Sequence, residues 1–372
     1  TTEMKKFLFM AAVSSMMFTA CSNNEDFAEI TGSESAKTVE FNMDFTVSSG
    51  IETRAGRPLY SQEALQRVND LNLYVFKDGT YAQMIDITAF NNSTSTGTES
   101  HTYKFDTQLT NGTYQFLAVG FEEDAAYKAL NFSGLSLDEA KLELADDQEA
   151  QEVFAGVSET TYTVNDDTKS LTASVTLNRV VAGVLGYFKN IPYEVENNGA
   201  MARVMKVCVE LSDKGTAANL DDNTNNKSLG STYKMLTIDL TNESKAEDGN
   251  YYQKAAKAEG EYKTAANSFL EGGYVLPFNK KSGTSTFKVV LYGDGETALK
   301  TYKVQVKGSK DTEIDVLANH FYSMGHKSTD KGEPTGPIDP DEPIDLSKDQ
   351  VITITVDANW ETIHDLELGA EE

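Results

Sequence analysis

The stretch VEFNMDFTV, residues 39–47, alternates apolar and polar side chains without exception. Side chains of an extended chain point to opposite faces in turn, so Val39, Phe41, Met43, Phe45 and Val47 share one face. A helix would scatter the same five residues around its circumference. The segment therefore reads as a β-strand with one buried face, which needs a sheet and a second layer to cover it. The same pattern returns near the other end. There, ITITVDANW places Ile352, Ile354, Val356, Ala358 and Trp360 on one face.

Strands dominate what lies between. VNDLNLYVF (68–76) is stopped by the turn Lys77-Asp78-Gly79, and TYQFLAVGF (113–121), TTYTV (160–164) and LTASVTL (171–177) continue the series. SLDEAKLELADDQEAQEVFAG (136–156) reads as an acidic helix or helix-loop, with Ser136 and Glu139 spaced for a capping box. A second series starts near Val180: VVAGVLGYF, MKVCVEL, YKMLTIDL, FKVVLYG and KTYKVQV, with GDGET (293–297) as a tight turn between the last two. Residues 219–230 and 243–261 are polar insertions, the second expected to be partly helical. The many Thr, Val, Tyr and Phe residues favour pleated, half-buried surfaces, and 372 residues suffice for two cores. The expected fold is all-β, two tandem sandwiches that meet near 180–190.

The amino terminus reads as an address. Met4-Lys5-Lys6 precedes a mostly apolar run from Phe7 to Ala20, shorter than the ~20 residues of a membrane-spanning helix. The Ala-Cys junction resembles the lipobox of bacterial lipoproteins, in which Cys21 becomes the acylated first residue. The following SNNED resembles the surface-export signal of Bacteroidetes lipoproteins. Several acyl chains, at about 0.8 kcal/mol per buried CH₂, would anchor the chain firmly. The remaining cysteine, Cys208, lies in an apolar stretch and reads as a small buried side chain without a disulfide.

A net charge of −26 repels phosphates, which argues against nucleic acid. His101, His320, His326 and His364 lack metal-ligand spacing, and the chain holds no nucleophile elbow, zinc-protease or nucleotide-binding motif. DDNTNN (221–226) lacks the glycine and terminal glutamate of a calcium loop. No enzymatic activity, cofactor or metal is expected.

What remains is mechanical. Pro334, Pro337, Pro340 and Pro343, four of the chain's seven prolines, make 332–347 an extended, semi-rigid tether ahead of the last strand. After the first strand comes SGIETRAGRP, a basic turn in an acidic chain. Cutting there would remove the first strand together with the lipid. A sandwich so opened exposes a groove that an equivalent strand from another copy can fill. That contact is head-to-tail and non-closing, and it builds a fibre. Plainer readings stay open: TRAGR as an exposed linker turn, and the last strand as an ordinary member of the second sandwich.

Together, the leader, the alternating strand before TRAG, the tandem β-domains, NHFYSMGHK and the terminal ITITVDANWETIHDLEL resemble the fimbrillins. These are the pilin subunits of the type V pili of Bacteroidales. The resemblance implies transthyretin-like Greek-key sandwiches and export as an outer-membrane lipoprotein. It also implies cleavage by an arginine-specific, trypsin-like protease, followed by donor-strand exchange in an extracellular fimbrium that mediates adhesion.

Mapped onto this chain, 1–20 is the signal peptide and 21–54 the lipidated propeptide holding the first strand. Residues 55–183 and 184–331 are the two sandwiches, and 332–372 the tether and donor strand. The cleaved bond is Arg54–Ala55, because Arg57 precedes Pro58, a poor site for such enzymes. The partners are further copies in a homopolymer, anchor and tip pilins, and the protease. Having both TRAG and the tethered strand, the chain looks most like a polymerising stalk subunit. The alternatives are an anchor or tip subunit, or a monomeric surface lipoprotein binding glycan or host ligand through aromatics such as Tyr251, Tyr252 and Tyr262.

Overall fold

Asp78 and Gly79 both adopt positive φ, 49° and 85°, and the chain reverses over these two residues as a hairpin. The computed structural model describes residues 35–47, 68, 70–87, 94–95, 100–121, 130–221, 226–252, 264–327 and 342–357. All of these except Ser35 belong to one compact unit, Ala36–Glu372.

The amino-terminal half supplies β1 (Lys37–Val47), β2 (Asp70–Lys77), β3 (Thr80–Asp86), β4 (Thr94–Ser95), β5 (Ser100–Leu109), β6 (Gly112–Phe121), β7 (Lys141–Glu143), β8 (Val153–Val157), β9 (Tyr162–Val164) and β10 (Ser170–Arg179). The carboxy-terminal half supplies β11 (Ala182–Lys189), β12 (Glu194–Asn197), β13 (Ala200–Arg203), β14 (Lys206–Leu211), β15 (Gly215–Asn219), β16 (Lys227–Ser228), β17 (Tyr233–Asp239), β18 (Ser244–Lys245), β19 (Tyr251–Tyr252), β20 (Ser268–Val275), β21 (Phe287–Tyr292), β22 (Ala298–Val306), β23 (Phe321–Met324), β24 (Ile344–Asp345) and β25 (Ile352–Asp357). Two single 3-10 turns are the only helical structure among the described residues. The fold is all-β.

The first sheet runs β3-β2-β6-β8-β10-β1-β5-β4, with β9 added to β6. It curls, so that Gln83 Nε2 of β3 reaches Gln108 O of β5 at 3.5 Å. The concave side holds Val39, Phe41, Met43 and Phe45 with Leu73, Val75, Phe116 and Val175. The second sheet runs β17-β14-β21-β22-β25-β23-β11-β20, with β24 against β11. Its end strands also approach, and a Cβ placed on Gly273 of β20 would lie 3.1 Å from Met235 Cε of β17. Val184, Val209, Leu291, Tyr302 and Ile354 fill its interior.

A third core joins the two halves. Tyr74, Phe76, Leu117 and Val119 leave the far face of β2 and β6 to pack with Leu142, Ala218, Leu220 and Leu276. With both faces covered, these strands carry continuous apolar stretches, 73–76 and 116–121, rather than alternation. A small sheet, β16-β15-β7, bridges the halves through Ala217↔Glu143 and Ala218↔Leu142.

That bridge corrects one sequence expectation. The acidic segment 136–156 is not a helix; it forms a single 3-10 turn, Leu137–Glu139, followed by β7. Ser136 N–H does donate to Glu139 Oε2 at 3.0 Å. Beyond the turn, however, Leu142 and Leu144 are buried on either side of exposed Glu143, a strand period that a partner strand rewards. By contrast, GDGET forms the expected turn between β21 and β22, with Gly295 at φ 61°.

Candidate functional site

Both terminal strands sit in closely similar settings. β1 is an inner strand of its sheet. It pairs antiparallel with β5 from Lys37↔Leu109 to Thr46↔Ser100, and parallel with β10 from Glu40↔Ser170 to Val47↔Leu177. Val39, Phe41, Met43 and Phe45 are completely buried. Phe41 touches Phe105 and Phe116, and Phe45 meets the Tyr103 ring edge-on at 5.9 Å. Val47 ends the strand, and its side chain lies outside the described residues. On the outer face Thr102 Oγ1 donates to Asp44 Oδ1 at 2.5 Å and Gln108 Nε2 to Thr38 Oγ1 at 2.8 Å.

β25 is likewise an inner strand. It runs parallel to β22 over Val304↔Ile352 to Val306↔Ile354, and antiparallel to β23 over Phe321↔Asp357 to Ser323↔Thr355. Ile352 and Ile354 are 1% exposed, and half-buried Val356 packs against the same core. Ala358 and Trp360 lie outside the described residues. The approach to β25 is fastened: His326 and Glu342 exchange backbone hydrogen bonds of 3.0 and 2.8 Å, and Leu346 N–H donates to Lys189 O at 2.9 Å. The Tyr302 hydroxyl donates to Leu346 O, and Lys300 Nζ lies 2.6 Å from Asp349 Oδ1. The strand expected to reach another subunit is thus housed in the second sheet of its own chain.

Cys21, Arg54 and Ala55 lie outside the described residues, as do Arg57 and the tether prolines up to Pro340. Cys208 is buried beside Val290 and Tyr292, and burial pushes its thiol pKa up, which makes it a poor nucleophile. Of the three tyrosines, the two that are described do not form a joint exposed platform. Tyr251 is a core residue whose hydroxyl donates to Val204 O and accepts from Arg203 Nε at 3.2 Å, Tyr252 is exposed, and Tyr262 falls outside the described residues. Among the described residues no group of His, Cys, Asp and Glu is arranged to hold a metal ion.

Sequence reasoning missed a buried ion pair. Arg179 Nε, at the end of β10, donates to Glu152 Oε1 at 2.6 Å, and both side chains are fully buried. A lone arginine after an alternating strand carries no signal that its partner lies before β8.

No protein-family model and no curated protein matches the chain. Several solved structures are similar to it. A candidate cell adhesion protein from Parabacteroides distasonis is 14% identical and aligns over 87% of this chain and 99% of its own, with a TM-score of 0.41. The fimbrial anchor protein Mfa2 from Porphyromonas gingivalis is 15% identical over 88% of this chain and 99% of its own, with a TM-score of 0.39. The tip fimbrial protein Mfa3 from the same organism is 15% identical over 79% and 97%, with a TM-score of 0.35.

Proposed function

We propose that the chain is a structural subunit of a cell-surface fimbrium, assembled by exchanging its first strand for one supplied by another subunit. The observation that carries this reading is the placement of β1. It lies at the amino-terminal edge of the compact unit in sequence, yet inside the first sheet in space, with neighbours on both sides. Its departure would open a groove and two unpaired edges. Four buried side chains at roughly 1.5–3 kcal/mol each amount to about 6–12 kcal/mol. That is comparable with the ~5–15 kcal/mol stability of a whole domain, so the groove demands refilling.

In this reading the two curled sheets are tandem transthyretin-like sandwiches. Cys21 carries the lipid that holds the precursor in the outer membrane, and Arg54–Ala55 is where an arginine-specific, trypsin-like protease releases β1. β25 is the strand the chain offers. It already lives between one parallel and one antiparallel neighbour, as β1 does. Ladder length supports the move: among the described residues the slot of β1 offers ten antiparallel and eight parallel positions, and the present slot of β25 three of each.

One observation favours a second reading. Because β25 is fastened into its own sheet, a chain that keeps it there accepts a strand and donates none, which is the behaviour of a terminal anchor or tip subunit.

Low-dose trypsin distinguishes these readings, with the new amino terminus identified by mass spectrometry and size by light scattering and electron microscopy. Fibres whose subunits begin at Ala55 are the expected result. Monomers that bind a synthetic 350–364 peptide after a cut at Arg54 indicate the terminal subunit. A clean cut that yields monomers with no affinity for that peptide sinks strand exchange altogether.

A further inference from the structure

Arg179 links the strand beside the first slot to the strand beside the last one. Its Nη1 donates to Asn319 Oδ1 at 3.2 Å, while Nε holds Glu152, and the guanidinium lies 5.0 Å from the Phe154 ring centroid. Asn319 stands two residues before β23, with φ at 58°, and its N–H donates to Val181 O at 2.9 Å. β10, which ends in Arg179, flanks β1; β23, which begins just after Asn319, flanks β25. A buried cation is a costly way to join two sheets when hydrocarbon already joins them in the third core. What it adds is direction, because a guanidinium keeps its partners only in one orientation.

We infer that this contact couples the two slots, so that loss of β1 loosens the hold on β25. The ladder from β1 braces β10 through Leu177, two residues short of Arg179. Without it, the end of β10 keeps its hold on β8, at Asn178↔Ala155, Arg179↔Phe154 and the Val180 N–H bond to Val153 O, but has lost the neighbour on its other side. Arg179 then loses its fixed aim at Asn319, the start of β23 frays, and the short ladder from Phe321–Ser323 to β25 opens. Release at the amino terminus thereby readies the strand that the chain would donate. The inference rests on the proposed release of β1, but its readout does not require fibres.

Hydrogen exchange by mass spectrometry on the full chain, before and after trypsin, provides the test. Loss of one charge-assisted hydrogen bond corresponds to about tenfold in a local opening equilibrium. Exchange in β25 should rise about tenfold after cleavage while β14 stays unchanged. Asn319→Gly removes the side-chain acceptor and suits the positive φ. In that variant β25 should exchange faster before cleavage, and cleavage should add less than about twofold. The inference is overturned if β25 is unchanged in the wild type while β10 responds, if β25 and β14 rise together, or if Asn319→Gly responds like the wild type. A chain that trypsin does not cut at Arg54 refutes the release point alone. The coupling is then read after cleavage at a site introduced between residues 48 and 53.

Discussion

Phe41 lies flat against Phe105, ring centroids 5.3 Å apart and planes within 12° of parallel, while Phe116 meets it edge-on at 5.4 Å. The side chain is fully buried, so Phe41→Ala removes both contact area and aromatic geometry. The expected cost is about 3–5 kcal/mol, read as a lower urea midpoint at unchanged slope. Glu40→Gln, on the exposed face of the same strand, should stay within about 0.5 kcal/mol.

A chain ending at Asp330 loses β24 and β25 together with buried Leu346. With 332–372 read as tether and donor strand, such a chain is expected to fold and merely fail to donate. The inner position of β25 gives a different expectation: β22 and β23 become unpaired edges, and the second core is exposed. Limited proteolysis should degrade residues 182–327 well before the first sheet. Ile354→Ala is the milder version, with an expected loss of about 2–5 kcal/mol in thermal or urea unfolding.

Glu271 of β20 pairs with Gly186 and shares a strand face with core residues Phe269 and Val275. Burial raises its pKa to about 7. The native state therefore keeps this proton after the unfolded chain has lost it, so stability falls as pH rises from about 4.5 to about 7 and is flat above. Glu271→Gln should be more stable than the wild type at pH 8, on the order of 1–2 kcal/mol, and equal to it near pH 4. A difference independent of pH would mean that Glu271 does not titrate in this way.

Gly156 sits where β8 passes close to β10. A Cβ there would lie 1.9 Å from the backbone oxygen of Thr176, which cannot swing aside as a side chain can. Gly156→Ala is expected to cost about 1–3 kcal/mol or more, seen as a lowered melting temperature.

Alternation was readable because it is local. In β10, Ser170, Thr172, Ser174 and Thr176 are exposed while Leu171, Ala173, Val175 and Leu177 are buried, as the pattern LTASVTL predicts. The hairpins at Asp78-Gly79 and Gly295 were readable for the same reason, since a reversal needs residues that tolerate positive φ. The acidic segment 136–156 was misread because its charge spacing suits a helix in isolation, and only β15 supplied the partner that made a strand of it.

By itself, then, the sequence determined that the chain is built of strands, which face of each is apolar, and that two closely matched strands stand near its ends. Tertiary structure decided which neighbours those strands have: β10 and β5 for the first, β22 and β23 for the last. It also decided that Arg179 meets Glu152 and Asn319. The physical reason is that a side-chain period specifies a face but not a partner. Pairing across long stretches of chain is settled only when the whole core closes and the entropy of closure is recovered.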